Sequence, residues 1–140
     1  MDIIDTLNIA ASGLNAQRIR MQSVSTNMAN ARTTRTEDGT HFQRRVPVFE
    51  ASPIDTFGSM LDKQLASVDV TDVHVYETEG IRRFDPQHPD ADKEGYVTYP
   101  DINILHEMVD LMTASRAYEA NTKTVEVTLQ MARKALEISR

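Results

Sequence analysis

The 140-residue sequence predicts a mainly α-helical chain with a small β element. Two long terminal helices are expected to form an α-helical coiled coil around a short β-rich middle segment. Two patterns carry that expectation: apolar residues recur in alternating steps of four and three at both ends, and with period two between them. The segments are read as 1–31, an N-terminal helix; 32–99, a linker and small β-rich segment; and 100–140, a long C-terminal helix. Together they make one structural domain.

The first seam runs through Ile3, Leu7, Ala10, Leu14, Gln17, Met21, Val24, Met28 and Ala31. Leu7, Leu14, Met21 and Met28 repeat every seven residues, a stripe narrower than the face of a helix buried in a globular core. Gln17 is its one polar interruption. Asp2 and Asp5 suit the positive end of the helix dipole and Arg32 the negative end. The pattern ends around 27–31, where Asn30 is a candidate left-handed terminal residue, and Thr33, Thr34 and Thr36 then favour extended chain.

At the other end Pro100 precedes two candidate N-caps, Asp101 and Asn103, with Glu107 and Asp110 in the first turns. The seam that follows is Ile104, Met108, Leu111, Ser115, Tyr118, Thr122, Val125, Leu129, Ala132 and Leu136. A helix over most of 103–139 is far longer than the globular mean of about 11–12 residues. Arg133, Lys134 and Arg140 lie where they complement its negative end.

In the middle, Val46 and Val48 alternate, as do Val68 and Val70, then Val73 and Val75. The parity flips at Thr71-Asp72, which predicts a bulge or a tight turn between two short strands. "EGYVTYP" (94–100) reads as a further strand, and Pro47 confines its own strand to an edge. "DGT" (38–40) and "SPIDTFGS" (52–59) read as loops.

Charge follows the same partition. Residues 1–45 carry +2, 46–100 carry −7 and 101–140 carry −1, and between Asp5 and Glu37 there is no acid at all. The net charge of −6 argues against nucleic acid as a partner. Arg18 and Arg20, without aromatic interleaving, read as a solvated or subunit-facing helix flank. No apolar run approaches the roughly 18 residues needed to cross a bilayer, and the N-terminus lacks the basic and apolar regions of a cleavable leader. The absence of cysteine excludes disulfides and thiolate chemistry.

No catalytic motif is present, so neither an enzyme nor a cofactor nor a small-molecule substrate is expected. "HEMVD" (106–110) approaches a zinc-helix motif with Asp110 in the second-ligand position, but it reads as a polar helix face. The alternative to a structural protein is a calcium module on "DADKEGYVTYPD" (90–101). There Asp90, Asp92, Glu94 and Asp101 stand at ligand positions of an EF-hand loop, and Gly95 stands at its turn. The two prolines of "FDPQHP" oppose an entering helix, and the plain reading is an acidic turn leading into a strand. Tyr118 and the seam methionines read as packing residues rather than a cofactor groove.

Energetics point to partners. Burying the large apolar residues of the first seam returns roughly 1.5–3 kcal/mol each. Ordering the helix costs about 1–2 kcal/mol per residue in backbone entropy, only partly offset by helix formation. Such a helix needs a companion, within the chain or from a neighbour, and both ends are expected to order fully only on assembly.

"ASGLNAQRIRMQSVSTNMANARTTRT" (11–36) resembles the N-terminal signature of bacterial flagellar axial proteins, the rod, hook and hook-associated subunits. "EMVDLMTASRAYEANTKTVEVTLQMARKALEI" (107–138) resembles their C-terminal signature, and "FDPQHPDADKEGYVTYPDIN" (84–103) is similar to proximal-rod members. The residues carrying the match include Asn27, Asn30, Asp85, Pro86, His88, Pro89, Gly95, Tyr96, Glu119 and Asn121. The resemblance implies a structural subunit of the proximal rod, in the periplasm, exported unprocessed by the flagellar type III apparatus. Its implied partners are further copies of itself, other rod subunits and the adaptor on the MS-ring side.

Overall fold

A computed structural model describes residues 3–53 and 65–138. Helix α1 (Ile3–Ala29) is followed by strands β1 (Arg44–Pro53), β2 (Ala66–Tyr76), β3 (Ile81–Phe84) and β4 (Tyr96–Tyr99), then helix α2 (Ile104–Ile138). The strands form two separate antiparallel hairpins, β1–β2 and β3–β4. The expected mainly helical fold with a small β element is what is found.

α1 contains serine, threonine and glycine yet remains helical throughout, and two of its hydroxyls are satisfied by its own carbonyls. Ser12 Oγ donates to the Ile9 carbonyl (2.8 Å) and Thr26 Oγ1 to that of Gln22 (2.8 Å). Its end differs from expectation: no non-glycine among the described residues has positive φ, so Asn30 is not left-handed. The Asn30 side chain satisfies the terminus instead. Its Nδ2 donates to the Thr26 carbonyl (2.9 Å) and its Oδ1 accepts from Thr33 Oγ1 (3.1 Å). At α2 the structure selects Asn103, not Asp101, as the cap. Asn103 Oδ1 accepts from the Leu105 and His106 amides at 3.0 and 3.3 Å. Neither helix has a base in its last turn: Arg32 lies beyond α1, and Arg133 and Lys134 sit about one turn early in α2.

The helices pair within the chain and run antiparallel. Asn27 meets Glu107, Arg20 meets Asp110, and Gly13 meets Asn121. Continuing that register sets Ile3 level with roughly the position of Met131, so among the described residues the last two turns of α2, about 10 Å, extend past Ile3. At Gly13 a Cβ would lie 2.7 Å from Asn121 Nδ2, which is why the helices approach closely there.

β2 is one strand rather than two. Val48 pairs with Asp72 and Phe49 with Val70, leaving Thr71 as the extra residue of a bulge. The bulge explains the parity flip: Val68, Val70, Val73 and Val75 pair with Ala51, Phe49, Pro47 and Arg45, all on one face of β1. β1 lies at an edge, as Pro47 requires, and "DGT" forms a turn with Gly39 at φ 79. The "SPIDTFGS" segment is partly in β1, which runs to Pro53; its remainder lies outside the described residues.

β4 matches the expected strand, but β3 has no counterpart in the sequence reading. "IRRF" is exposed at all four positions and is a strand only because it pairs with β4. Gly80 admits the turn into it: φ is 73, and a Cβ would lie 2.6 Å from the Tyr99 carbonyl oxygen.

The interior is thin. Among the described residues the buried apolar side chains are mostly small, Ala10, Ala16, Ala31 and Ala114, joined by Val24, Phe42 and Val97 and by Pro47 and Pro100.

Candidate assembly site

The helices and the first hairpin meet at a buried polar junction. Asn27, 1% exposed, donates through Nδ2 to the Arg45 carbonyl (2.9 Å) and to Glu107 Oε2 (3.1 Å). Its Oδ1 accepts the Arg45 amide (2.9 Å), so the side chain bonds β1 much as a neighbouring strand would. Glu107, also 1% exposed, takes Arg44 on its other oxygen at 2.7 Å, and Arg44 reaches Asp110 at 3.8 Å. Asp110 in turn accepts from Arg20 (3.0 Å). Two carboxylates, two guanidiniums and one amide thus satisfy one another where α1, β1 and α2 converge. A second tie is Ser12 Oγ, which accepts the Val68 amide (3.1 Å) and fixes β2 on α1.

This junction corrects one reading and fills in another. Arg20 is not a free helix flank, because it bridges to α2. Glu107 and Asp110 of "HEMVD" are committed to arginines.

The seam residues divide unequally. In α1, Ala10 and Val24 are buried, while Leu7, Leu14, Met21 and Met28 are half-buried. In α2 the face applied to α1 is a small and polar one, marked by buried Glu107 and Ala114 and half-buried Asn121 and Thr128 at seven-residue intervals. Leu111 and Val125 are half-buried beside it, but Ile104, Met108, Tyr118, Leu129 and Leu136 remain exposed. Most of the large apolar seam residues of α2 therefore point away from α1. Gln17 Oε1 is buried without a partner among the described residues, at a groove of about 510 Å³ shared with Phe49 and Val68.

Of the motif residues, Asn27 sits in the junction, Asn30 at the end of α1, and Asn121 against Gly13, whereas Glu119 is exposed and apart. Asp85, Pro86, His88, Pro89, Gly95 and Tyr96 belong to the β3–β4 connection. The Asp85 amide donates to the Gly95 carbonyl (2.9 Å), and His88 Nδ1 accepts the Asp90 amide (3.1 Å). Gly95, φ 83, lets the chain turn beneath Phe84 and Pro86. Phe84 meets Tyr96 edge-on at 5.3 Å.

The carboxylates of this loop face different partners instead of converging on an ion. Asp90 accepts from Thr34 Oγ1 (2.7 Å), whereas Asp92 accepts the Glu94 and Tyr96 amides and pairs with Arg82 at 2.7 Å. The Tyr96 amide is the main reason the Asp92 carboxyl is held below its usual range; slight burial opposes it, and the Glu94 amide and Arg82 assist. Among the described residues no three His or acidic groups are grouped to hold a metal. The acidic turn is structural, and the calcium alternative is not supported.

The model for the flagellar basal body rod FlgEFG protein C-terminal family matches residues 93–138, which span β4 and α2. The flagellar basal-body rod protein FlgC of Aquifex aeolicus is 42% identical over 98% of this chain and 97% of its own length. The chain belongs to the FlgC family of flagellar basal-body rod proteins. The FlgC proteins of Borreliella burgdorferi and Bacillus subtilis are each 36% identical, over 99% and 100% of this chain and 98% and 100% of their own lengths. In this FlgC-family chain the residues missed by periodicity are Arg44, Glu107, Asp110 and Arg20, a set assembled from three elements. Its sequence traces were two acids at the start of a helix that otherwise reads as amphipathic, and Arg20 in a stretch free of acids.

Proposed function

We propose that this chain is a non-enzymatic structural subunit of the flagellar rod, in its proximal part. It polymerises with copies of itself and with other rod subunits, through helices divided as 1–31 and 100–140 about the 32–99 segment. The supporting observation is its uncovered apolar surface. α2 contributes Leu105, Met108, Val109, Met112, Met131 and Leu136, all more than two-fifths exposed. Leu105, Met108, Val109 and Met112 share one face of α2 at i, i+3, i+4 and i+7, and such a patch is a surface for other helices. The same reading includes a periplasmic location, a link to the MS-ring side through an adaptor, and export by the flagellar type III apparatus.

Leu129→Asp tests it. Leu129 is 43% exposed, so the monomer should fold with unchanged helicity. The variant should be missing from purified basal bodies and its cells non-motile. Normal incorporation and motility would overturn the proposal.

A further inference from the structure

α1 has a face that neither α2 nor the hairpins cover. Asn8, Ala11, Asn15, Arg18, Gln22, Ser25 and Ala29, followed by Arg32 just past the helix, are all exposed and follow one another in steps of three and four. The face is uncharged except for its arginines. Arg18 donates only to Asn15 (2.9 Å), and neither Arg18 nor Arg32 has a carboxylate partner among the described residues.

Beyond Arg44 and Val46, which turn to the helix side or are half-buried, the β1–β2 hairpin has an uncovered stretch of opposite character. Alternation puts Val48, Glu50, Asp69 and Asp72 on the side away from Phe49 and Val68, and all four are exposed. Glu50 and Asp69 stand directly opposite each other in the register. Like charges in such a pair disfavour the hairpin that carries them, and no base neutralises either among the described residues.

We infer that the outer face of α1 docks on the outer face of the β1–β2 hairpin of a second copy of the chain. The charge complementarity favours that occupant: Arg18 and Arg32 supply the cations that Glu50, Asp69 and Asp72 lack. Ala11, Ser25 and Ala29 leave room for Val48 to approach the helix. The two faces are different surfaces, so the contact is head-to-tail. It propagates into an open helical polymer instead of closing a dimer. The inference rests on the rod-subunit reading and names one contact within it.

The chain's lack of cysteine makes the test clean. Cells co-expressing Ser25→Cys and Val48→Cys variants should give a disulfide-linked dimer in the basal-body fraction, absent when either variant is expressed alone. Ala29→Cys with Asp72→Cys provides a second pair should one substitution block incorporation. Arg18→Glu should lower the cross-link yield at least several-fold, and adding Asp69→Arg to the same chain should restore it. Both variants present in basal bodies without a mixed dimer, or cross-linked to a different protein, would overturn the inference. Absence of the unsubstituted chain from that fraction would instead defeat the rod assignment.

Discussion

Replacing Asn27 by Ala removes three hydrogen bonds at once: two to the Arg45 peptide, each 2.9 Å, and one to the buried Glu107 carboxylate, 3.1 Å. A neutral bond is worth about 0.5–1.5 kcal/mol and one to a charged group about 1.5–3. The Arg45 side chain is exposed, so water can re-solvate part of its peptide. The expected loss is about 3–5 kcal/mol. Set against a usual total of about 5–15 kcal/mol and a core dominated by alanine, that takes most of the monomer's stability. The midpoint should fall by about 10–15 °C, measured by circular dichroism on dilute protein. Asn27→Asp sharpens the test. It keeps the acceptor for the Arg45 amide but sets a carboxylate against Glu107, so it should be as damaging at neutral pH. It should recover partly in acid, where the introduced carboxyl can donate; the Ala variant should not. A midpoint for Asn27→Ala within about 3 °C of the parent, or an Asp variant indifferent to pH, would refute the reasoning.

Gly13→Ala should be close to neutral, because a gain of about 1 kcal/mol in helix propensity is offset by displacing the end of the Asn121 side chain, 2.7 Å from the new Cβ. Gly13→Leu should wedge the helices apart and cost about 1–3 kcal/mol, and equal urea midpoints for the two variants would contradict the close approach. The second hairpin should respond to acid through Asp92. Its carboxyl is depressed in the folded state, so its contribution is complete above the usual carboxylate range and drains away as pH falls through that range to the folded value. The Glu94 and Tyr96 amide resonances should report that loss, and Asp92→Asn should remove the pH dependence; amides that do not move in the parent would refute the assignment.

Much of the fold is legible in local patterns. The heptads of 3–29 and 104–138 locate both helices, and the parity flip at Thr71 locates a bulge, though a bulged strand and a broken one look alike until β1 supplies its register. β3 is invisible because Arg82 and Arg83 hide its alternation and its identity depends on β4. The candidate site divides along the same line. Periodicity finds which residues are apolar, but it cannot say that α2 turns its small and polar face, Glu107, Ala114 and Asn121, toward α1. That choice follows from the arginines of β1 and the glycine of α1, far away in sequence. Asn27 was visible only as a motif residue, since nothing local signals an amide standing in for a strand.

The antiparallel register has a mechanical consequence. Among the described residues α2 runs about 10 Å past Ile3, so the paired helices have offset ends. Stacked blocks of that shape have staggered joints, as courses of brick do, so no flat cut passes through joints alone. A twist applied to such a column must bend helices as well as slide faces past one another. Torque is then shared between the helices and the faces that join them.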